Sequence, residues 1–470
     1  MAAEALKAER PRPGDREAVV SFTTKLQAEY QVPEDQLVVP ADLARYGLSE
    51  VVNRLLGLEK PVPFDFLVDG EFLRTSVAQY LKASGRSSEQ VLCLEYVLAL
   101  SEPEVSQVDV VPDWVADIVP LQTFPSSWFA AVSYDGTVRI YEDDHSRLVV
   151  KISDAPLTCA ASLPSGDNKS CRLVLGCKDG TTRCCGATQF HPAAGSTAAV
   201  GPTASLLSHS GGKAPQAVAL NDDGTLLASG GWDLDINVWN AENDLFMAAD
   251  GEQKGGKRRA PVDGARTAPK FTLTGHSQVV TRLRFGSQER YPFTLLSASW
   301  DCSIRVWDIA AASCVCNWTV ARAATDLTLS PVTPPQLATA HEDGHVSIWD
   351  VRAAPHESIK GALSLDSTTG LPLNSAQAPH RRLVSKVAWC PEDAARIASV
   401  GHDGLLCILD PRSPKMPLQS IQVGKGMPCP NKLLCLAWLT RNTLAVGGSD
   451  GKVHRVSVER AKAAVEEMPA

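Results

Sequence analysis

Residues 294–308 read TLLSASWDCSIRVWD. The stretch splits into two short β-type runs around the turn at Trp300-Asp301-Cys302. In the second run, Ile304 and Val306 alternate with polar neighbours and Trp307 ends it, the period-two pattern of a half-buried strand. Just upstream, LTGHSQVVTRLRF (273–285) sets Gly275-His276 ahead of another strand. The unit is therefore several antiparallel strands, and its faces are too apolar to stand alone.

The same unit recurs. SYDGTVRIY (133–141), CKDGTTRCC (177–185), GWDLDINVWN (231–240), SWDCSIRVWD (299–308), HEDGHVSIWD (341–350), GHDGLLCILD (401–410) and GSDGKVHRVS (449–458) each carry a turn aspartate before an alternating run. Those aspartates are Asp135, Asp179, Asp233, Asp301, Asp343, Asp403 and Asp450, spaced by 44, 54, 68, 42, 60 and 47 residues. A base period of roughly 42–45 with insertions is that of a WD-repeat propeller. Aspartate bonds its own turn backbone and the following Gly accepts positive φ, so D-G suits the hairpin. Stacking such blades around a ring buries both faces of every sheet.

This reading disposes of an apparent catalytic set. His276, Ser297 and Asp301 could be mistaken for a Ser-His-Asp triad. Inside the repeat, with Trp307, they are instead the hydrogen-bonded network that ties a blade together. After GKVHRVSVER only AKAAVEEMPA remains. The seventh blade then lacks its outermost strand, which is expected from around Glu104–Val111, a latch closing the ring. Asp113-Trp114-Val115 would begin the first blade's inner strand.

The first hundred residues differ. Residues 1–17 read as disordered. Val19–Leu26 and Gln36–Val39 predict strands. Leu48, Val51, Val52, Leu55 and Leu56 form a helical stripe over roughly 48–57, with Ser49 as cap and Gly57 as stop. PVPFDFLVDGEFLR predicts two strands about Asp69-Gly70, SVAQYLKAS a short helix, and Val91–Leu98 a last strand. The order β-β-α-β-β-(short helix)-β is that of a ubiquitin-like β-grasp domain, and other α+β sandwiches share the pattern. The expected fold is an all-β seven-bladed WD-repeat propeller preceded by a small α+β ubiquitin-like domain. Its divisions are 18–99 for the head, 100–112 for linker and closing strand, 113–459 for the propeller and 460–470 for a tail. Loop insertions fall near 241–270 and 352–382.

Bulk composition agrees with this. The 470 residues are 44% hydrophobic with net charge −8, which argues against a generally basic nucleic-acid binder. Thirteen cysteines at irregular spacing, with no C-x-x-C, no secretory h-region and no apolar run near 18 residues, predict an intracellular chain with reduced thiols. No metal site in cis is expected: Cys184-Cys185 and Cys314-x-Cys316 fall on strands. Gly251–Lys257 matches a phosphate-loop pattern by letter, but Arg258 stands where Ser or Thr is needed. Lys254, Lys257, Arg258 and Arg259 read equally as a solvated loop and as a nuclear import signal or RNA contact.

RYGLSEVVNRLLGLEKPVPFDFLVDGEFLRTSVAQYL (45–81), SSE at 87–89 and DWV at 113–115 closely resemble the ribosome-assembly WD-repeat proteins of the PeBoW complex, whose N-terminal domain is notchless-like. Notchless itself shares the head but carries about eight repeats. The resemblance implies a non-catalytic factor in large (60S) subunit maturation in the nucleolus and nucleoplasm. It implies a propeller docked on a block-of-proliferation-type WD-repeat partner, and through it on a pescadillo-type protein. It also implies a head bound to the metal-ion-dependent adhesion site of midasin, an AAA+ ATPase that strips factors from pre-60S particles. The metal-contacting Glu falls, by its SSE context, on Glu89. No cofactor of its own is implied, only the partner's Mg²⁺ contacted in trans, and no membrane. Glu50 and Glu71 are competing acids outside that context. A ubiquitin-pathway substrate adaptor is the rival reading; the last head strand runs into LALSEPEV rather than a diglycine tail, which excludes conjugation but not mimicry.

Overall fold

A computed structural model describes residues 17–33, 36–57, 60–121, 128–164, 170–188, 199–200, 205–241, 268–286, 294–331, 336–350, 378–411, 417–424 and 431–459. The chain divides into two compact units, residues 1–102 with 459–470, and residues 103–458.

The first unit is a five-stranded mixed sheet with two helices. Its elements are β1 (Glu17–Thr23), β2 (Gln36–Pro40), α1 (Arg45–Leu56), β3 (Phe64–Val68), β4 (Glu71–Phe72), α2 (Val77–Ser84) and β5 (Leu92–Leu98). The sheet order is β2-β1-β5-β3-β4, with β1 and β5 parallel (Val20 opposite Leu92, Phe22 opposite Leu94) and the other pairs antiparallel. That is the β-grasp arrangement. Alternate residues of β1 and β5, namely Val20, Phe22, Leu92, Leu94 and Tyr96, point to one buried face, where they meet Leu48 and Val52 of α1 and Phe64 and Phe66 of β3. The Tyr96 hydroxyl donates to Tyr30 O at 2.5 Å and accepts from Val32 N at 3.0 Å, so its one polar atom is satisfied.

Two local expectations are corrected. The first helix starts at Arg45, not 48, and Ser49 does not cap it; Ala44 holds that position without a side-chain bond. Ser49 is buried inside the helix, where its Oγ accepts from Phe64 N at 3.0 Å and donates to Val62 O at 3.3 Å. Asn53 Nδ2 also donates to Val62 O, at 2.7 Å. Both side chains staple α1 to the segment entering β3, so a polar residue near the helix start serves tertiary packing. Leu55 of the expected stripe is exposed. Gly57 does end the helix, at φ 65°. β1 stops at Thr23 rather than Leu26.

The described residues of the second unit form seven antiparallel sheets. Their inner strands are Val115–Pro120, Leu157–Pro164, Pro215–Leu220, Val280–Phe285, Ala324–Leu329, Val384–Trp389 and Leu433–Thr440. Each lies beside the next, and the last beside the first. Glu104–Val110 pairs antiparallel with Lys452–Ser457 as the outer strand of the last sheet, Val110 opposite Lys452 and Glu104 opposite Ser457. The strand stops one residue short of the expected Val111, whose N–H instead reaches Gly451 O at 2.6 Å. The carboxylates of Asp135, Asp179, Asp301, Asp343, Asp403 and Asp450 each accept from the backbone N–H two residues on, at 2.8–3.2 Å. Leu234 and Cys302 stand where other repeats have Gly and still take φ of 71° and 59°; blade packing imposes a turn that Gly adopts at less cost.

Lys254, Lys257, Arg258 and Arg259, residues 1–16 and 460–470, and most of both insertions fall outside the described residues.

Candidate functional site

Glu89 sits in the turn between α2 and β5, exposed to solvent. The turn is anchored along its length. Ser76 caps α2 by accepting from Gln79 N at 3.3 Å, and Gly85 ends that helix at φ 67°. Arg86 N then donates to Leu81 O at 3.1 Å, and the Arg86 guanidinium reaches Asp69 at 2.5 Å. Ser87 Oγ accepts from Glu89 N at 3.3 Å, and Ser88 O accepts from Val19 N at 3.4 Å. Three residues later the chain enters β5, which is paired on one side with β1 and on the other with β3. The carboxylate thus projects from a tied turn at the end of the sheet's central strand.

Its chemistry is that of an open donor. Among the described residues Glu89 makes no ion pair, whereas Glu50 is held by Arg54 at 2.6 Å and Glu95 by Lys25 at 3.2 Å. A hard oxygen free of competing cations suits an incomplete Mg²⁺ shell supplied by another molecule. It does not line a pocket of its own. The head's groove of about 790 Å³ lies between α1 and residues 61–64, lined by Tyr46, Asn53, Arg54 and Val62 among others, and does not include Glu89.

His276, Ser297, Asp301 and Trp307 come together in the fourth sheet. His276 Nδ1 lies 2.8 Å from Asp301 Oδ2, and its Nε2 lies 2.7 Å from Ser297 Oγ, which also accepts from Trp307 Nε1 at 2.9 Å. Ser297 is fully buried and already takes an indole N–H, so no substrate reaches it. Burial alone would raise the Asp301 pKa; the bonds from His276 and Ser303 reverse this and hold its carboxyl well below the usual range.

The same constellation occurs at residues that sequence reading passed over. His209 meets Asp233 at 2.8 Å and Ser229 at 2.6 Å, and His380 meets Asp403 at 3.1 Å and Ser399 at 2.8 Å. The spacing was available: His209, His276 and His380 precede their turn aspartates by 24, 25 and 23 residues. Only His276 follows the Gly that made it visible. Three copies of one network in one ring of sheets are structural ties.

Two buried histidines, His380 of one such network and His341 in the fifth sheet, have shifted pKa values. Burial would lower the His380 pKa, but Asp403 and Cys407 outweigh it and lift it to about 9. Burial pushes His341 down to about 4. A raised histidine pKa contributes stability that is whole below the ordinary value of about 6.5 and fades as pH rises through the folded value. A depressed one loses its contribution as pH falls. Urea unfolding of the full chain is expected to show a maximum near pH 6.5, an alkaline decline between about pH 6.5 and 9, and an acid decline between about pH 6.5 and 4. His380→Gln flattens the alkaline limb, worth about 3 kcal/mol, and leaves the acid limb in place.

A second missed feature is a buried charge cluster. Asp117, from the first sheet's inner strand, is met by Arg282 of the fourth at 3.3 Å and Lys386 of the sixth at 3.1 Å. Arg282 Nε also lies 3.1 Å from Asp326 Oδ1 of the fifth. Burial would raise the Asp117 pKa, but the two cations bring it below its ordinary value.

Comparison with known proteins fits both units. Residues 18–81 match the model of the NLE (NUC135) domain, a match that ends before Glu89. Residues 201–240 and 267–308 match the WD domain, G-beta repeat. A "Ribosome biogenesis protein WDR12 homolog" from Chlamydomonas reinhardtii is 30% identical over 442 residues, 90% of this chain and 93% of that protein. Its namesake from Oryza sativa subsp. japonica is 29% identical, over 93% and 96% of the two chains. The "Ribosome biogenesis protein YTM1" of Coprinopsis cinerea is 28% identical, over 94% and 95%. With two matched domain types in the observed order and similarity running nearly end to end, the chain belongs to the WDR12/YTM1 family of ribosome biogenesis proteins.

Proposed function

We propose that this chain is a non-catalytic assembly factor of the large (60S) ribosomal subunit, acting in rRNA maturation in the nucleus, nucleolus and nucleoplasm. In this reading the ring of sheets docks on a block-of-proliferation-type WD-repeat protein, which also holds a pescadillo-type protein. The head binds the adhesion site of midasin, and Glu89 completes the Mg²⁺ shell there. The observation that carries the proposal is the exposed Glu89 carboxylate, without an ion pair among the described residues, on a turn tied to the central strand of the head. A pull on that carboxylate enters a strand hydrogen-bonded on both sides, so force is shared across the sheet.

A non-catalytic role agrees with the site chemistry. The triad-like set at His276 is buried and recurs at His209 and His380 as a tie between strands. Affinity capture of the intact protein from nuclear extract, read by mass spectrometry, tests the reading. The expected outcome is co-recovery of the two WD-repeat-complex partners, midasin and 60S precursor proteins. Recovery of ubiquitin-ligase subunits without pre-60S proteins would overturn it.

A further inference from the structure

We propose that the axial channel of the second unit binds a small oxyanion, phosphate or carboxylate, on Arg284. Asp117, Arg282, Asp326 and Lys386 come from the inner strands of sheets one, four, five and six, yet lie within 3.3 Å of their partners. Sheets one and four are not neighbours, so side chains that meet this way line the common axis. Each inner strand slips register at the same point, pairing Asp117 with Val132, Arg282 with Ala298, Asp326 with Ala340 and Lys386 with Val400. These residues therefore occupy one level of the channel.

Arg284 is two residues further along its strand, so it points to the same side, one level on. At the matching positions of the other six inner strands stand Val119, Ala161, Ala219, Thr328, Ala388 and Ala437, uncharged and, Val119 apart, small groups that leave space around the guanidinium. Charge does not balance over the two levels together. Arg282 and Lys386 are matched by Asp117 and Asp326, two against two, and Arg284 adds a third cation. Among the described residues it has no ion pair, and it is open to the channel's water. Its neighbour Arg282 pushes its pKa down, to about 10, so it is still a cation near neutrality. A planar guanidinium with a vacant fork in a narrow channel of small residues takes an oxyanion through two parallel N–H bonds, and that anion relieves the repulsion from Arg282.

The anion has two sources, free phosphate or a carboxylate side chain of a docked protein. Thermal unfolding of the full chain is measured in inorganic phosphate and, separately, in acetate, with chloride holding ionic strength constant. Wild type is expected to gain Tm saturably in phosphate, and the Arg284→Met variant to show no such gain. Arg284→Lys should keep a weaker response, since a point charge replaces the fork. Saturation in acetate but not phosphate assigns the site to a carboxylate. Wild type unresponsive to both anions, or Arg284→Met responding as wild type does, overturns the proposal.

Discussion

Glu89→Ala is expected to weaken binding of the full chain to the midasin adhesion domain by about 100-fold or more, the scale for truncating one partner of a tight charged contact. Glu89→Asp should fail nearly as badly. Its carboxylate is the same, but shorter by one methylene, and the tied turn leaves no slack for the backbone to advance: Arg86 and Ser88 are bonded to Leu81 and Val19 on either side. Neither substitution should lower Tm. An exposed acid with no ion pair among the described residues contributes little to folding, within about 0.5 kcal/mol. This separation of binding from stability distinguishes a ligand in trans from a structural acid. Glu50→Ala breaks the Arg54 pair on α1 and should leave binding intact. Surface plasmon resonance with the three variants, alongside thermal melts, reads both quantities.

Asp117→Ala is expected to destabilise the second unit by about 3–5 kcal/mol, the usual result of stripping the partner from buried charge. Asp117 accepts from Lys386 and Arg282 and also from Ala160 N at 3.3 Å. Its loss leaves Lys386 without a carboxylate, while Arg282 keeps Asp326. The double variant Asp117→Ala, Lys386→Met should therefore recover part of the loss, because the stranded cation goes too. Groups in one network are not additive, and the cycle measures the coupling. Urea midpoints of the four proteins provide it; a single-variant loss below about 1 kcal/mol would show that the cluster is not a buried tie.

What the sequence revealed and what it hid follow one physical line. Features set by neighbours in sequence were legible. The turn aspartates bond backbone two residues on, so their spacing announced the repeats. Gly57 ends a helix by its own left-handed conformation. The latch Glu104–Val110 was legible too, because the seventh repeat carries only three strands of its own. Features set by residues distant in sequence were not. Ser49 has the chemistry of a cap, but the segment at Val62–Phe64 claims its hydroxyl. The channel charges lie on inner strands without a motif, and only the return of the last strand to the first brings Asp117 beside residues 165 and 269 positions away. His209 and His380 fall between, with correct spacing but altered flanks. Glu89 belongs to a third class: its exposure is seen in the fold, and its role rests on what it would touch in another protein.

The most direct test of that role is a Mg²⁺ titration of binding between the full chain and the midasin adhesion domain, for wild type and Glu89→Gln, with EDTA as the zero point. The account predicts saturable Mg²⁺-dependent affinity for wild type, none for Glu89→Gln, and no further loss when EDTA is added to the variant. Wild-type affinity that survives EDTA, or a variant that still gains affinity with Mg²⁺ as wild type does, would contradict it.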